Sequence, residues 1–269
     1  MPYPSRSVAD VEVVPLCDAV GPMGEALARP LGELFGGPGH PVWSGPCGHA
    51  PQDGWVLHFH CFLLRDPAGR TVLVDTGVGP LDSPAASWAP VPGRLAAELA
   101  AAGTEPDEVD AVVLTHLHSD HVSGSLAADG VSPAFPNARY VVQRAELDWV
   151  ARAGSPLAEA VVEPLRKAGC LDVVDGVRAL AAGVETVHTP GHTPGHQSVR
   201  VGDGALLVAG DVLHHPVQLA DPTAAYLYDE DRERATATRQ AVLEALAASG
   251  GVLATAHFPE PFTALPGSR

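Results

Sequence analysis

The sequence predicts an α/β fold, a four-layer αβ/βα sandwich formed by a single domain over residues 1–269. Segments with strand character come in two blocks, and helical segments follow each block. This order is typical of two sheets packed face to face and covered by helices. The chain shows no linker and no repeat of fixed period, and 269 residues are enough to bury one large core.

The first block begins with a strand at 11–20. Residues from about 21 to 54 follow as an irregular loop, because GGPGHPVWSGPCGHAPQDG is too rich in glycine and proline for a regular element. Part of this loop, 36–54, is a candidate lid, since a loop of this length in a compact domain is often functional, and a mobile surface loop without contacts to substrate is the alternative. A hairpin follows, with strands at 55–66 and 69–77 joined by PAG.

The remaining elements alternate in a way that completes both blocks. The first block ends with an alanine-rich helix at 93–103, buried strands at 105–116 and 138–143, and helices at 144–154 and 155–169. The second block has short strands at 171–175, 184–190, 196–202 and 204–211, the longest helix at 229–250, and a closing strand at 251–258.

Composition excludes several classes of partner. A net charge of −16 and a single lysine leave no basic patch for nucleic acid. No apolar run approaches the roughly 20 residues of a membrane span, and the N-terminus lacks an apolar signal segment, so we expect a cytoplasmic protein. The four cysteines, Cys17, Cys47, Cys61 and Cys170, form no C-x-x-C pair, which favours buried thiols over a zinc ribbon or a disulfide scaffold.

The segment LTHLHSDHVSG gathers three histidines and an aspartate where a predicted strand ends. In an extended chain, residues two apart point the same way, so His116 and His118 can hold one metal ion together. Once the chain turns at Ser119, Asp120 and His121 can point towards a second ion. The alternative is a polar loop whose histidines are satisfied by hydrogen bonds, and the spacing favours metal binding.

Three later segments place further ligand-type side chains at strand ends. HTPGHTPGH supplies His188, His192 and His196 around Gly-Pro turns. An apolar strand runs into Asp211, where a carboxylate is costly to bury unless it is paired or coordinated. The final predicted strand ends at His257. Four strand ends therefore converge on one predicted metal site.

Together, the His116-to-His121 motif, TPGHTPGH, the Gly-Asp pair at Asp211 and the C-terminal AHFP resemble the metallo-β-lactamase superfamily of hydrolases. The strand end TVLVDTGVG, which contains Asp75, is also similar to a strand end of that family. The resemblance covers about residues 10–262 and implies the metallo-β-lactamase fold. Within the superfamily, the layout is most similar to the subgroup that contains lactonases and methyl parathion hydrolase.

The resemblance implies a two-ion metal centre. One ion would be held by His116, His118 and His192, the other by Asp120, His121 and His257, with Asp211 bridging them. His192 is preferred to His196 because the first histidine of GHTPGH matches the family ligand. Asp75 is expected to hold the ligand loop by hydrogen bonds, with a capping aspartate in a tight turn as the alternative.

The resemblance also implies the reaction and the cofactors. We expect a metal-bridging hydroxide, oriented by Asp120, to attack a small ester, lactone, thioester or organophosphate. His214 is the candidate for protonating or orienting the substrate, and stands where homoserine-lactone hydrolases have a tyrosine. Two divalent ions are expected, with zinc first and iron, manganese or cobalt also compatible with nitrogen and oxygen ligands.

Two other functions remain open at this point. One is a mononuclear-iron dioxygenase of the same fold, with iron on His116, His192 and Asp211; the other is a non-catalytic metal-binding protein. The expected partner is a small molecule, with no nucleic acid or membrane, and a homodimer is left open. Aromatic residues near predicted loops and strand ends are candidates for the pocket wall: Trp43, Trp55, Phe59, Phe62, Trp88 and Trp149.

Overall fold

Two β-sheets lie at the centre of the computed structural model, which describes residues 3–45 and 47–265. The ends of the predicted domain, 1–2 and 266–269, and Pro46 of the predicted loop lie outside the described residues. The first sheet has seven strands in spatial order: β1 (Arg6–Val8), β2 (Val11–Pro22), β3 (Val56–Arg65), β4 (Thr71–Val74), β5 (Ala111–Val113), β6 (Arg139–Gln143) and β7 (Leu171–Val174).

The second sheet has six strands. They are β8 (Arg178–Ala181), β9 (Val184–His188), β10 (Gln197–Val201), β11 (Leu206–Val208), β12 (Val252–Ala254) and β13 (Phe262–Ala264), in the spatial order β13-β12-β11-β10-β9-β8. The α-helices are α1 (Leu31–Leu34), α2 (Leu95–Ala101), α3 (Ser119–Val122), α4 (Arg144–Ala153), α5 (Glu163–Lys167), α6 (Val217–Ala220) and α7 (Arg232–Ser249).

The buried apolar side chains form layers that confirm the predicted sandwich. One cluster joins residues of both sheets, such as Val72 of β4 and Val199 of β10, and fills the space between them. A second cluster packs the outer face of the first sheet against α2, α4 and α5. A third packs Leu207 and Leu253 of the second sheet against Leu246 of α7. The order is therefore helix, sheet, sheet, helix.

Several predicted element boundaries were wrong. The chain closes with β12 followed by the edge strand β13, whereas one strand at 251–258 was expected. The edge strands β1 and β8 were not predicted, and the buried strand expected at 105–116 is reduced to the three residues of β5. The helix at 155–169 begins with a π-helical turn at Ala158–Val162 before α5.

The loop at 21–54 is mostly irregular, as expected, but it contains α1 and a 3-10 turn at Pro41–Ser44. Leu31, Leu34 and Phe35 are buried in a cluster with Trp55. This part of the loop is therefore packed against the body of the protein.

The carboxyl ends of parallel strands meet at one edge of the sandwich. In the first sheet β4, β5 and β6 are parallel neighbours, and in the second β11 is parallel to β12. Side chains that follow these strands share that edge, as is usual for ligand sites in α/β folds. Among the described residues, no helix has the length and apolar character needed to cross a membrane.

Candidate metal centre

The loop after β5 presents His116 and His118 as the sequence predicts. His118 has an extended backbone, with φ −94° and ψ 151°, and α3 begins at the next residue. His121, on α3, lies beside this pair, with its ring centre 4.2 Å from that of His116. His116 and His118 face each other, with Nε2 of the first 3.0 Å from Nδ1 of the second.

His116, His118 and His192 form what we call the three-histidine group. His192, from the loop between β9 and β10, places its Nε2 2.9 Å from Nδ1 of His118. Together with Asp211, these residues offer ligand atoms that all lie within 4.8 Å of one another. Three nitrogens and one carboxylate oxygen at this spacing could hold a divalent ion.

Asp120, His121 and His257 form a second set, which we call the Asp120 group, and its ligand atoms also lie within 4.8 Å of one another. Oδ2 of Asp120 is 3.3 Å from Nε2 of His121 and 3.5 Å from Nε2 of His257. His257 follows β12, so this group joins the ends of strands from both sheets.

Asp211 lies between the two groups and faces each with a different oxygen. Its Oδ2 is 3.4 Å from Nε2 of His192, and its Oδ1 is 3.3 Å from Nε2 of His121 and 3.2 Å from Nε2 of His257. The preceding Gly210 has φ +55°, and a Cβ there would meet Nε2 of His196 at 2.7 Å. Glycine at 210 therefore allows the sharp turn that brings Asp211 inward.

Hydrogen bonds on the far side of the rings orient the imidazoles. Nδ1 of His121 is 2.8 Å from Oδ2 of Asp75, Nδ1 of His192 is 3.0 Å from Oδ1 of Asp229, and Nδ1 of His257 is 2.9 Å from the carbonyl oxygen of His58. An imidazole that donates from Nδ1 leaves a lone pair on Nε2, which is the form that binds a metal.

Burial and charge act differently on the two groups. Burial lowers the pKa of His118 to about 3 and that of His192 to about 4, so both are neutral at pH 7. Burial also opposes protonation of His121 and His257, but the carboxylates of Asp211 and Asp120 outweigh it and raise the pKa of both rings.

The site contains buried polar atoms that a cation would satisfy. Nε2 of His121 and Oδ1 of Asp211 are buried and have no hydrogen-bond partner among the described residues. Such atoms are costly unless a ligand compensates them. Since the surrounding donors are imidazole and carboxylate without a thiolate, the residues fit hard to borderline divalent ions such as zinc.

The other histidines singled out in the sequence have different surroundings. His196 accepts a hydrogen bond on Nε2 from the backbone N–H of Asp211 at 2.9 Å, and its Nδ1 is 3.1 Å from the carbonyl oxygen of Thr189. Both ring nitrogens are thus engaged, and the ring positions Asp211. Nε2 of His188 is 2.9 Å from the carbonyl oxygen of Pro194, at an exposed position.

His214 lies beside the centre. Its Nε2 is 3.2 Å from Oδ2 of Asp211, and its ring centre is 4.0 Å from that of Tyr226. Neither ring nitrogen forms a hydrogen bond with a described residue. Burial lowers the pKa of the ring to about 4. His214 borders the cavity above the centre and can therefore reach a bound molecule.

Asp75 supports the ligand loop in the way the sequence suggests. It accepts a hydrogen bond from the backbone N–H of Thr115 at 2.8 Å and from the hydroxyl of Thr115 at 2.8 Å, in addition to the contact with His121. Its backbone also has φ +62°, which is uncommon outside glycine. Asp75 thus joins the turn after β4 to the His116 loop.

Two supports were missed in the sequence. Glu146 of α4 is fully buried and accepts hydrogen bonds from the backbone N–H groups of Leu117 and Gly195, at 2.8 and 3.0 Å. It therefore joins the two loops that carry the three-histidine group. Burial raises its pKa to about 7.

The second missed support is a buried ion pair behind His192. Oδ2 of Asp229 is 3.4 Å from Nη2 of Arg239, and neither side chain is exposed. Arg239 also donates from Nε to the carbonyl oxygen of Val212 at 3.0 Å. No local pattern marks this pair, since Asp229 lies in a run of charges and Arg239 in the middle of the longest helix.

A cavity of about 500 Å³ opens above the centre. Its wall includes Trp55, Trp88 and Trp149 of the predicted aromatic set, whereas Phe62 lies in the core between the sheets. No described residue of the predicted lid, 36–54, lines this cavity; the neighbouring residues Met23 and Leu27 do. The lid at 36–54 stays a prediction, and the segment just before it packs into the body through Leu31, Leu34 and Phe35.

The fold and the site define an α/β sandwich with two adjacent groups of metal-ligand side chains at one edge of its sheets. The family model of the metallo-beta-lactamase superfamily matches residues 55–257, and the chain belongs to that superfamily. The membership confirms the predicted fold.

Curated relatives include N-acyl homoserine lactonases. One from a Bacillus species is 30% identical over 154 residues, covering 52% of this chain and 57% of the relative. The lactonase AttM of Agrobacterium fabrum is 33% identical over 161 residues, covering 52% of this chain and 58% of the relative. The chain thus spans little more than half the length of the curated relatives it matches.

Solved structures share the fold over the whole chain. A hydrolase of the beta lactamase superfamily, AbOPH, has a TM-score of 0.78 at 22% identity, covering 100% of this chain and 98% of that one. AidC, described as a dizinc quorum-quenching lactonase, has a TM-score of 0.76 at 20% identity, covering 100% of this chain and 98% of that one.

Proposed function

We propose that this chain is a dinuclear metal-dependent hydrolase of small lactones, with N-acyl homoserine lactones as the first candidates. The proposal rests on Asp211, whose two carboxylate oxygens face two separate sets of imidazoles. The lactonase relatives favour lactones over the esters, thioesters and organophosphates that the same chemistry could hydrolyse.

The proposed ligands are those expected from the sequence. One ion would be held by the three-histidine group and the other by the Asp120 group, with Asp211 shared between them. Two divalent ions, zinc first, would lower the pKa of a shared water and polarise the bond to be broken. This chemistry needs no serine or cysteine nucleophile.

The side chains above the centre have separate roles in the proposal. Asp120 borders the cavity and orients the attacking water through its carboxylate. His214 faces the same space and donates a hydrogen bond to the substrate or its leaving group. Trp55, Trp88 and Trp149 provide apolar surface for an acyl chain and exclude water from the reacting bond.

The mononuclear-iron alternative leaves an observation without explanation. If only His116, His192 and Asp211 held a metal, His121 would not be a ligand. Its Nε2 would then stay buried beside Oδ1 of Asp211 with no hydrogen bond in the described chain. A second ion accounts for both atoms. The cytoplasmic location and a homodimer stay predictions.

Hydrolysis by metal-stripped and zinc-reloaded protein tests the proposal. We expect reloaded protein to open N-acyl homoserine lactones and stripped protein to be inactive. Aryl esters and phosphotriesters serve as competing substrates. Activity that survives complete metal removal would refute the metal-dependent mechanism. If the reloaded protein hydrolysed phosphotriesters faster than lactones, the assignment of lactones as substrates would be wrong.

A variant tests the role of His214. His214→Ala should slow turnover by about 10²–10⁴-fold, the usual contribution of a group that transfers or shares a proton, without changing the metal content. Loss of a metal ion from this variant would instead make His214 a ligand.

A further inference from the structure

A second cluster of metal-ligand side chains lies on neighbouring strands of the first sheet, apart from the centre described above. It consists of Cys17 on β2 and of His58 and His60 on β3. Cys17 pairs with His60 across the two strands, and His58 is two residues before His60, on the same face. One ligand atom from each of the three lies within 4.8 Å of the other two.

The ring of His60 is arranged like that of a metal ligand. The side chain is only 3% exposed, and its Nε2 lies 3.0 Å from the carbonyl oxygen of Phe258. A carbonyl oxygen can only accept, so Nε2 carries the proton and Nδ1 keeps its lone pair. Nδ1 is buried and has no partner among the described residues, and the same is true of Nδ1 of His58.

The backbone next to Cys17 is irregular. The pairing of β2 with β3 shifts between Cys17 and Ala19, which is the mark of a β-bulge. Bulges often re-aim a side chain. Asp18, the extra residue, is buried and accepts hydrogen bonds from the backbone N–H groups of Val78, Arg94 and Leu95. Its three hydrogen bonds fix the bulge beside Cys17.

The surroundings of the cluster favour a cation. Burial first, and then the carboxylates of Glu98 and Asp18, raise the pKa of the Cys17 thiol to about 11. Burial lowers the pKa of His58, which keeps the ring neutral, and the carboxylate of Glu260 acts in the opposite direction and adds negative charge near the cluster. A divalent ion would provide the positive charge that lets the thiol release its proton.

We propose that Cys17, His58 and His60 form a third metal site, which binds one zinc ion or another divalent ion that prefers sulfur and imidazole. Cys17 contributes Sγ and His60 contributes Nδ1. Cys17 and His58 are half-buried, so an ion can enter from solvent and a water can complete a tetrahedral shell.

The cluster has two hydrogen-bonded connections to the chain around His257. The carbonyl oxygen of His58 accepts from Nδ1 of His257, and the ring of His60 donates to the carbonyl oxygen of Phe258. An ion bound by His58 and His60 would therefore stiffen the segment that carries His257.

Cobalt binding to the full chain tests the proposal. The ligands proposed for the main centre include no sulfur, so the charge-transfer absorption of a cobalt–thiolate bond reports on a cysteine alone. We expect Co²⁺ to produce this absorption, with about one more ion bound per chain than in Cys17→Ala. Cys17→Ala should lose the absorption and keep the ions of the main centre.

Two further variants keep the test specific. Cys47→Ala removes another half-buried thiol and should leave the absorption unchanged. His58→Ala keeps the sulfur but removes a ligand, and should weaken cobalt binding at this site by at least about tenfold. No thiolate absorption in the wild-type protein, its survival in Cys17→Ala, or its loss in Cys47→Ala would each overturn the proposal.

Discussion

The three-histidine group and the Asp120 group share Asp211, but they differ in how their charges are balanced. In the three-histidine group, ring nitrogens face one another at 2.9 and 3.0 Å. In the Asp120 group, each imidazole faces carboxylate oxygens. The pKa of His118 and His192 is lowered by burial, whereas carboxylates raise that of His121 and His257 against the effect of burial.

This difference indicates what each group requires. In the Asp120 group, carboxylates and imidazoles are complementary in charge, which balances part of the group without an ion, although Nε2 of His121 still has no hydrogen bond among the described residues. The three-histidine group brings together lone pairs that only a cation or a proton can satisfy. We therefore expect an ion to matter more for the geometry of the three-histidine group.

The largest effect is expected where the two groups meet. Asp211→Ala removes the carboxylate that faces both groups, so it should lower turnover and metal affinity at both groups by more than about 100-fold, the upper range for losing an outer support. Metal analysis and lactone hydrolysis measure this. Asp148→Ala, at an exposed position of α4, is the control and should behave like wild type. Two ions retained in the main centre of Asp211→Ala would contradict the shared role of Asp211.

Removing one ligand at a time should show that the two groups bind their ions independently. His118→Ala should lose the ion of the three-histidine group and His257→Ala that of the Asp120 group, so each should keep about one ion in the main centre. Because each of these variants loses a ligand of one group alone, both should retain more metal than Asp211→Ala. If either variant lost both ions, the groups would be one cooperative site.

A smaller effect is expected from the outer supports. Asp229→Asn should lower the metal affinity of the three-histidine group by about 10–100-fold, because Asp229 orients His192. Asp75→Asn should lower the metal affinity of the Asp120 group by a similar factor, because Asp75 orients His121. Both changes preserve shape, so they form a matched pair. Competition with a chelator would resolve the two affinities. If either variant lowered the metal affinity of both groups equally, Asp229 and Asp75 would not act on separate groups.

The smallest effect on metal is expected at His196. His196→Ala leaves every proposed ligand in place and removes only the acceptor for the backbone N–H of Asp211. The loss of bound metal should therefore be much smaller than in His192→Ala, as measured by metal analysis of both variants. The reverse order would exchange the two histidines in the assignment.

The candidate ligands could be predicted because they lie at strand ends in short, dense motifs. His116, His118, Asp120 and His121 fall within six consecutive positions, so their geometry depends only on an extended chain that turns into a helix. Glu146, Asp229 and Arg239 could not be found in this way. Each is one charged residue in or beside a helix, and only the tertiary structure buries it.

The same distinction applies to the fold. The layer order followed from blocks of strands and helices, which are patterns over many residues. The edge strands β8 and β13 have four and three residues, and each has only one hydrogen-bonded neighbour in the sheet. Segments that short carry little periodicity, so the pairing that makes them strands depends on the rest of the sheet.

Anomalous scattering from crystals of the zinc-loaded protein at the zinc absorption edge tests the central claim most directly. Within the centre, we expect two peaks, one beside each oxygen of the Asp211 carboxylate, with His118 contacting the first and His257 the second. A single peak bound by His116, His192 and Asp211, with His121 and His257 turned away from it, would contradict the account.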